Sequence, residues 1–135
     1  MIAAVTAALA LTSPAFANGG AIPVRYTCDG AGVSPPLQWT APPAGTRSFS
    51  LSVVDPDAPS GRFVHWTASG IAPSARGLAA GAHAPREGLN GAGGRGWTGP
   101  CPPSGTHGYV FTLQAVGPGG RTLATARLVG RYSRR

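Results

Sequence analysis

Polar and apolar residues alternate along residues 47–54, where Phe49, Leu51 and Val53 are separated by Ser48, Ser50 and Ser52. A period of two puts the apolar set on one face, so this segment predicts a strand with one buried side. Residues 109–116 repeat the pattern, with Tyr109, Phe111, Leu113 and Ala115 on one parity. Residues 63–71 predict a third strand ended by Pro73, and residues 123–132 a final one centred on Leu128 and Val129. Shorter strands are predicted at 22–27 and 37–40, the second stopped by Pro42 and Pro43, which lack the ladder donor. Residues 74–96 are dense in Ala and Gly without a clean period and predict a loop, with at most a weak helical turn near Ala75. No stretch carries a sustained helical stripe. Many short strands joined by Gly- and Pro-rich turns specify an all-β sandwich or barrel.

Composition tests that reading. The 21 glycines and 14 prolines approach a low-complexity fraction, but three Trp, four Phe and three Tyr supply material for a core. The Gly and Pro therefore belong to loops. At the N-terminus an apolar run over residues 2–11 is followed by Ser13-Pro14 and Ala15-Phe16-Ala17, the form of a secretory signal peptide without its usual positive region. The run is too short to span a bilayer as a helix. Cleavage after Ala17 would leave residues 18–135 as one exported domain, periplasmic or secreted. In an oxidising compartment the even cysteine count suggests a Cys28–Cys101 disulfide, and two buried thiols are the alternative. Neither cysteine has a second Cys or a His at zinc-ligand spacing. The net charge of +7 is carried by arginine alone, scattered from Arg25 to Arg135. Such scatter suits general association with anionic surfaces such as a membrane, whereas a nucleic-acid groove would show clustering, so no nucleic-acid partner is expected.

Only four residues are acidic, and two of them fall in Asp55-Pro56-Asp57-Ala58-Pro59-Ser60-Gly61, directly after the first strand. The prolines and glycine force a turn there, and a solvated Asx turn would account for it locally. A second unusual stretch runs from Gly96 to Tyr109 and contains Gly99-Pro100-Cys101-Pro102-Pro103-Ser104-Gly105. Its prolines fix the backbone and its glycines permit close approach, so a peptide N–H could be presented to a ligand. His107 and Tyr109 are two apart on a strand and share a face. Together with His65 they offer two imidazoles and a phenol, donors that suit an anion. A carboxylate bonded to one histidine would hold its tautomer and raise its pKa. Taken singly, His65 beside Trp66 reads equally well as a core histidine, and Tyr109 as a cap on the core. Ser104, His65 or His107, and Asp55 contain the residue types of a hydrolase triad, without a nucleophile elbow or an oxyanion partner. A small exported hydrolase using His65 and His107 is therefore the alternative function. No cofactor is implied, since residues 91–96 lack the Lys-Ser/Thr and helix of a phosphate loop.

Asp55-Pro56-Asp57-Ala58-Pro59, His65-Trp66, the Gly99 to Gly105 stretch and His107-x-Tyr109, in that order, resemble the phosphatidylethanolamine-binding protein family. The likeness is nearest to its bacterial branch, the Raf kinase inhibitor-like proteins. Tyr26-Thr27-Cys28-Asp29-Gly30, Ser34-Pro35-Pro36-Leu37-x-Trp39 and Leu128-Val129-Gly130-Arg131-Tyr132 extend it over about residues 19 to 133. The resemblance implies a mainly β protein, an antiparallel β-sandwich with few short peripheral helices. It implies a pocket for phosphate-like anions or phosphoethanolamine-type phospholipid head groups, in a binding protein that also regulates a kinase or protease partner as an inhibitor. By the same resemblance Asp55, His65, His107 and Tyr109 line the pocket, Asp57 and Pro59 shape it, and the backbone of Gly99, Pro100 and Pro102 forms a wall. Both histidines are then expected to donate to the anion, so binding should take up protons. Two departures stand out. Gly108 replaces the arginine usual between the histidine and tyrosine, and Val116 to Gly120 replaces a longer, helix-bearing insert.

Overall fold

The computed structural model describes residues 8–135. Its strands are β1 (Leu11–Thr12), β2 (Leu37–Trp39), β3 (Ser48–Asp55), β4 (Phe63–Ile71), β5 (Gly77–Leu78), β6 (Arg86–Glu87), β7 (Gly105–Val116) and β8 (Thr122–Arg134). They form a five-stranded sheet in the order β6-β4-β3-β7-β8 and a three-stranded sheet in the order β1-β2-β5. All strand pairs are antiparallel, which is the expected mainly β architecture.

The period-two segments bury the parity that the sequence assigns to the core. Phe49, Leu51 and Val53 on β3 and Tyr109, Phe111, Leu113 and Ala115 on β7 are all buried, facing Leu37 and Trp39 of the small sheet. Trp39 lies against Phe49 with ring centroids 5.4 Å apart. Its indole N–H donates to the Ala75 carbonyl at 2.9 Å, so the polar edge of a core ring is satisfied. Trp66 solves the same problem by donating to Glu87 Oε2 at 2.7 Å.

Residues 22–27 do not form the expected strand. Val24–Tyr26 is instead one 3-10 turn, with the Tyr26 and Thr27 N–H groups donating to Pro23 and Val24 carbonyls. Pro23 lacks an N–H and so ends the pairing after Ile22, whose N–H still donates to the Arg131 carbonyl at 2.7 Å. Residues 18–22 thereby cover the free edge of β8: Val129 N–H donates to Asn18 Oδ1, and Gly19 N–H to the Val129 carbonyl. Gly130 permits this approach, because a Cβ there would lie 2.5 Å from Ile22 Cγ1. The loop expected over 74–96 contains the two short strands β5 and β6, and Ala75 sits in a turn closed by its N–H to the Ala72 carbonyl rather than in a helix.

The fold also begins before residue 18. Residues 2–7 of the apolar run read as a signal peptide lie outside the described residues. Beyond them, Leu11 and Thr12 pair with Trp39 and Gln38, and Leu9, Leu11 and Phe16 are buried. A chain cut after Ala17 would lose all three from the core and leave β2 without its β1 neighbour.

Candidate functional site

β3 delivers Asp55 at its last position, and the proline-rich turn holds the carboxylate there. Asp55 Oδ1 accepts the Asp57 N–H at 2.7 Å, an Asx turn, while Oδ2 accepts the His107 Nδ1–H at 2.6 Å. Both side chains are nine-tenths or more buried. Asp57 itself is exposed and points its Oδ2 to the Gly108 N–H at 2.8 Å. The backbone of β7 thus braces the acidic turn at the position where the family arginine is missing.

β4 supplies His65. Its Nδ1 lies 2.7 Å from the Thr98 carbonyl, and because a carbonyl only accepts, Nδ1 carries the proton. The Thr98 N–H returns a bond to the His65 carbonyl at 2.9 Å, which straps the 97–103 segment across β4. Burial pushes the His65 pKa down, opposed in part by the Thr98 bond and the Asp55 charge and reinforced by His107. In its neutral form His65 offers a ligand an Nε2 lone pair, and protonation turns that same atom into a donor.

Tyr109 stands edge-on to His65, ring centroids 5.1 Å apart. It is fully buried, and its hydroxyl has no hydrogen-bond partner among the described residues. Burial, then the Asp55 and Asp57 charges, then Tyr132 push its pKa up, so it is a neutral donor. The Phe63 and His65 ring centroids lie 4.7 Å apart, and Gly91 lets the following loop pack on Phe63, because a Cβ there would meet the Phe63 ring at 2.6 Å.

These groups converge on a cavity of about 290 Å³. Of the residues expected there, Asp55, Pro59, His65, Gly99, Pro102, His107 and Tyr109 line it. Asp57 and Pro100 do not: Asp57 braces the turn from outside, and Pro100 is fully buried with its carbonyl accepting the Cys28 N–H at 3.1 Å. Phe63 and Ala92 also line it, each in a stretch whose sequence looks like plain strand or loop, and Thr98 joins them from the Gly96 to Tyr109 stretch, where its side chain carries no motif of its own. Ser104 is exposed and outside the lining, so it does not complete a triad with the histidines. Cys101 is part of the wall and is bonded to Cys28, Cα atoms 5.4 Å apart, tying the wall to the 3-10 segment.

A family profile described as phosphatidylethanolamine-binding protein matches residues 12–132. The chain belongs to the phosphatidylethanolamine-binding protein family. A relative from Methanothermobacter thermautotrophicus is 40% identical over 92% of this chain and 98% of its own length. The Mycobacterium tuberculosis protein LppC, whose name includes the word lipoprotein, is 48% identical over 78% of this chain and 54% of its own. The chain thus spans about half the length of the mycobacterial relatives it matches. Among solved structures, a family homologue from Chlamydia trachomatis superimposes with a TM-score of 0.89 at 36% identity, covering 95% of this chain and 99% of the other. E. coli YbcL, described as a member of the mammalian family, gives 0.87 at 27% identity, covering 96% and 100%.

Proposed function

We propose that the chain is an exported binding protein whose Asp55, His65, His107 and Tyr109 pocket takes a phosphate-like anion, free or as a phospholipid head group. The observation that carries this reading is the fully buried, unpartnered Tyr109 hydroxyl on the cavity wall. A buried donor without a partner costs free energy, and a ligand oxygen would remove that cost. Membership of a family of binding proteins supports the same reading. Export is supported by the Cys28–Cys101 bond and by the lipoprotein name of LppC. A membrane surface or a kinase- or protease-type partner is the natural target of such a binder, and the arginine-only charge favours an anionic one.

Calorimetric titration with phosphate and phosphoethanolamine tests the pocket. Binding that Tyr109→Phe weakens supports it; no binding of either probe overturns it. A hydrolytic reading rests on the short, buried Asp55–His107 pair, which would orient His107 Nε2 as a general base toward a water. Turnover of simple phosphoesters, lost in His107→Gln, would favour that reading instead.

A further inference from the structure

The long strands turn one parity to the core and the other to the outer face of the five-stranded sheet, where their registers align the residues in rows. Val54 stands beside Val64 on β4 and Val110 on β7, and Val110 beside Val129 on β8. The next row is Thr67, Ser52, Thr112 and Arg127. The one after it is Ser50, Gln114 and Thr125, with Ser69 and Arg86 paired at the β6 edge. Neighbours in a row are about 4.8 Å apart and successive rows roughly 7 Å, so the hydroxyls form a fixed lattice on rigid strands. Ser50, Ser52, Thr67, Ser69, Thr112 and Gln114 line an open groove of about 430 Å³ there. They are half-buried, and among the described residues their one side-chain bond runs from Ser50 Oγ to Gln114 Oε1 at a long 3.5 Å.

Arg86 and Arg127, both exposed, flank the groove from β6 and β8, four strands and roughly 19 Å apart. No free carboxylate shares it. Asp55 is bonded to His107, and Asp29 to Tyr132 and Arg134. Glu87 lines the groove but turns its oxygens to Trp66 and His83. Asp57 is held at the Gly108 N–H, beyond the valine row.

This chemistry narrows the partner. A lipid surface takes Trp, Phe or Leu anchors, and the largest apolar side chain in these rows is valine. Protein interfaces centre on aromatic anchors, whereas the centre here is Ser, Thr and Gln. A second copy of this chain would set arginine against arginine in a protein of net charge +7. A sugar chain offers hydroxyls that pair with the lattice and C–H faces that rest on the valines, and sugar carboxylates suit the two guanidinium forks. We infer that the outer face of the five-stranded sheet binds an acidic sugar chain carrying carboxylates, at a site separate from the Asp55 cavity.

Calorimetric titration of the full chain with hexagalacturonate, hexaglutamate and neutral cellohexaose tests this, with and without saturating phosphate at matched ionic strength. Hexagalacturonate should bind at least five-fold tighter than either comparator, and equally well in phosphate. Arg127→Gln should weaken it at least three-fold, and the charge-neutral pair Ser52→Ala with Thr112→Val at least five-fold. Arg76→Gln, beside β5 in the other sheet, should change it less than two-fold. Urea midpoints show whether the double variant stays folded; Gln114→Glu keeps the side-chain shape, adds a repelling charge, and should also cost at least five-fold. Equal losses in Arg127→Gln and Arg76→Gln, with none in the hydroxyl and Gln114 variants, would reduce the effect to net charge and overturn the inference. Hexaglutamate binding as tightly as hexagalacturonate would assign the face to an acidic polypeptide and overturn it too. Displacement by phosphate would move the sugar into the Asp55 cavity, and no binding of hexagalacturonate would leave the face without this ligand; either result overturns the inference while phosphate binding is judged by its own titration.

Discussion

The Phe16 ring lies 5.7 Å from the Phe111 ring, so a residue from a segment that reads as a disposable leader packs on the centre of β7. Phe16 is 7% exposed and Phe111 fully buried. Truncating a buried phenylalanine to alanine removes its transfer free energy and leaves a cavity, so Phe16→Ala should cost roughly 3 to 5 kcal/mol. A chain starting at Asn18 also loses Leu9 and Leu11 and should fail to give a cooperative unfolding transition. Urea denaturation of residues 8–135 and 18–135 compares them directly. Equal midpoints would mean that residues 8–17 contribute nothing to the fold.

The strands that were legible and those that were not are separated by one physical cause. Periodicity is legible only where an element is long enough to repeat, as in Phe49 to Val53 or Tyr109 to Ala115. Two-residue strands such as Leu11–Thr12, Gly77–Leu78 and Arg86–Glu87 have no period, and their pairing is decided by partners far away in the chain. The site divides likewise. Asp55, His65, His107 and Tyr109 were legible from residue type and order, whereas the Thr98 carbonyl that fixes the His65 tautomer is a backbone group that any residue could supply. That carbonyl fixes which ring nitrogen of His65 is left free, Nε2, and no side-chain motif encodes it.

Gly108 sits in strand β7 with a Cβ position 3.4 Å from Asp57 Oδ2, close enough for contact and free of overlap. Glycine weakens a strand by about 0.5 to 1 kcal/mol relative to alanine, so Gly108→Ala should raise stability by that amount. Gly108→Arg should add a little more, on the order of 0.5 kcal/mol, because an exposed ion pair with Asp57 is worth little. Thermal melts of the two variants at low and high salt check this. Salt should erase the arginine increment and leave the alanine one.

The Cys28–Cys101 bond closes a loop of 73 residues of sequence separation, for which the chain-entropy account gives about 4 kcal/mol. Replacing both cysteines by serine should lower stability by up to that figure. Because Cys101 lines the pocket, the same change should also weaken binding of the preferred probe. Reductant titration followed by urea unfolding measures the first effect and calorimetry the second. A reduced protein with unchanged affinity would show that the wall is held by the Thr98 and Pro100 backbone bonds alone.

Burial lowers the His65 pKa below its ordinary value of 6.5, which makes folding compete with protonation. Above pH 6.5 the ring is neutral in both states and its contribution to stability is complete. As pH falls below 6.5 the unfolded chain takes a proton that the folded one refuses, so stability is lost until the folded pKa is reached. His65→Asn keeps a donor for the Thr98 carbonyl and removes the titration. Urea midpoints between pH 8 and 5 should fall more steeply for wild type than for His65→Asn. Parallel slopes would place the His65 ring in contact with water.

The Tyr109 hydroxyl sets stability against function. Among the described residues it is a buried donor without a partner, and such a group costs roughly 1 to 3 kcal/mol of desolvation. Tyr109→Phe keeps the ring edge-on to His65 and deletes only the oxygen, so the variant should be more stable than wild type by an amount in that range. In the complex the same hydroxyl is a neutral donor to the ligand, worth roughly 0.5 to 1.5 kcal/mol, so the variant should bind its phosphate probe about two- to ten-fold more weakly. A purely structural tyrosine predicts the reverse on both counts, with stability lost through a broken core bond and affinity untouched. Denaturant unfolding and calorimetric titration on one preparation of each protein give both numbers, and the opposed signs are what a preorganised ligand donor requires.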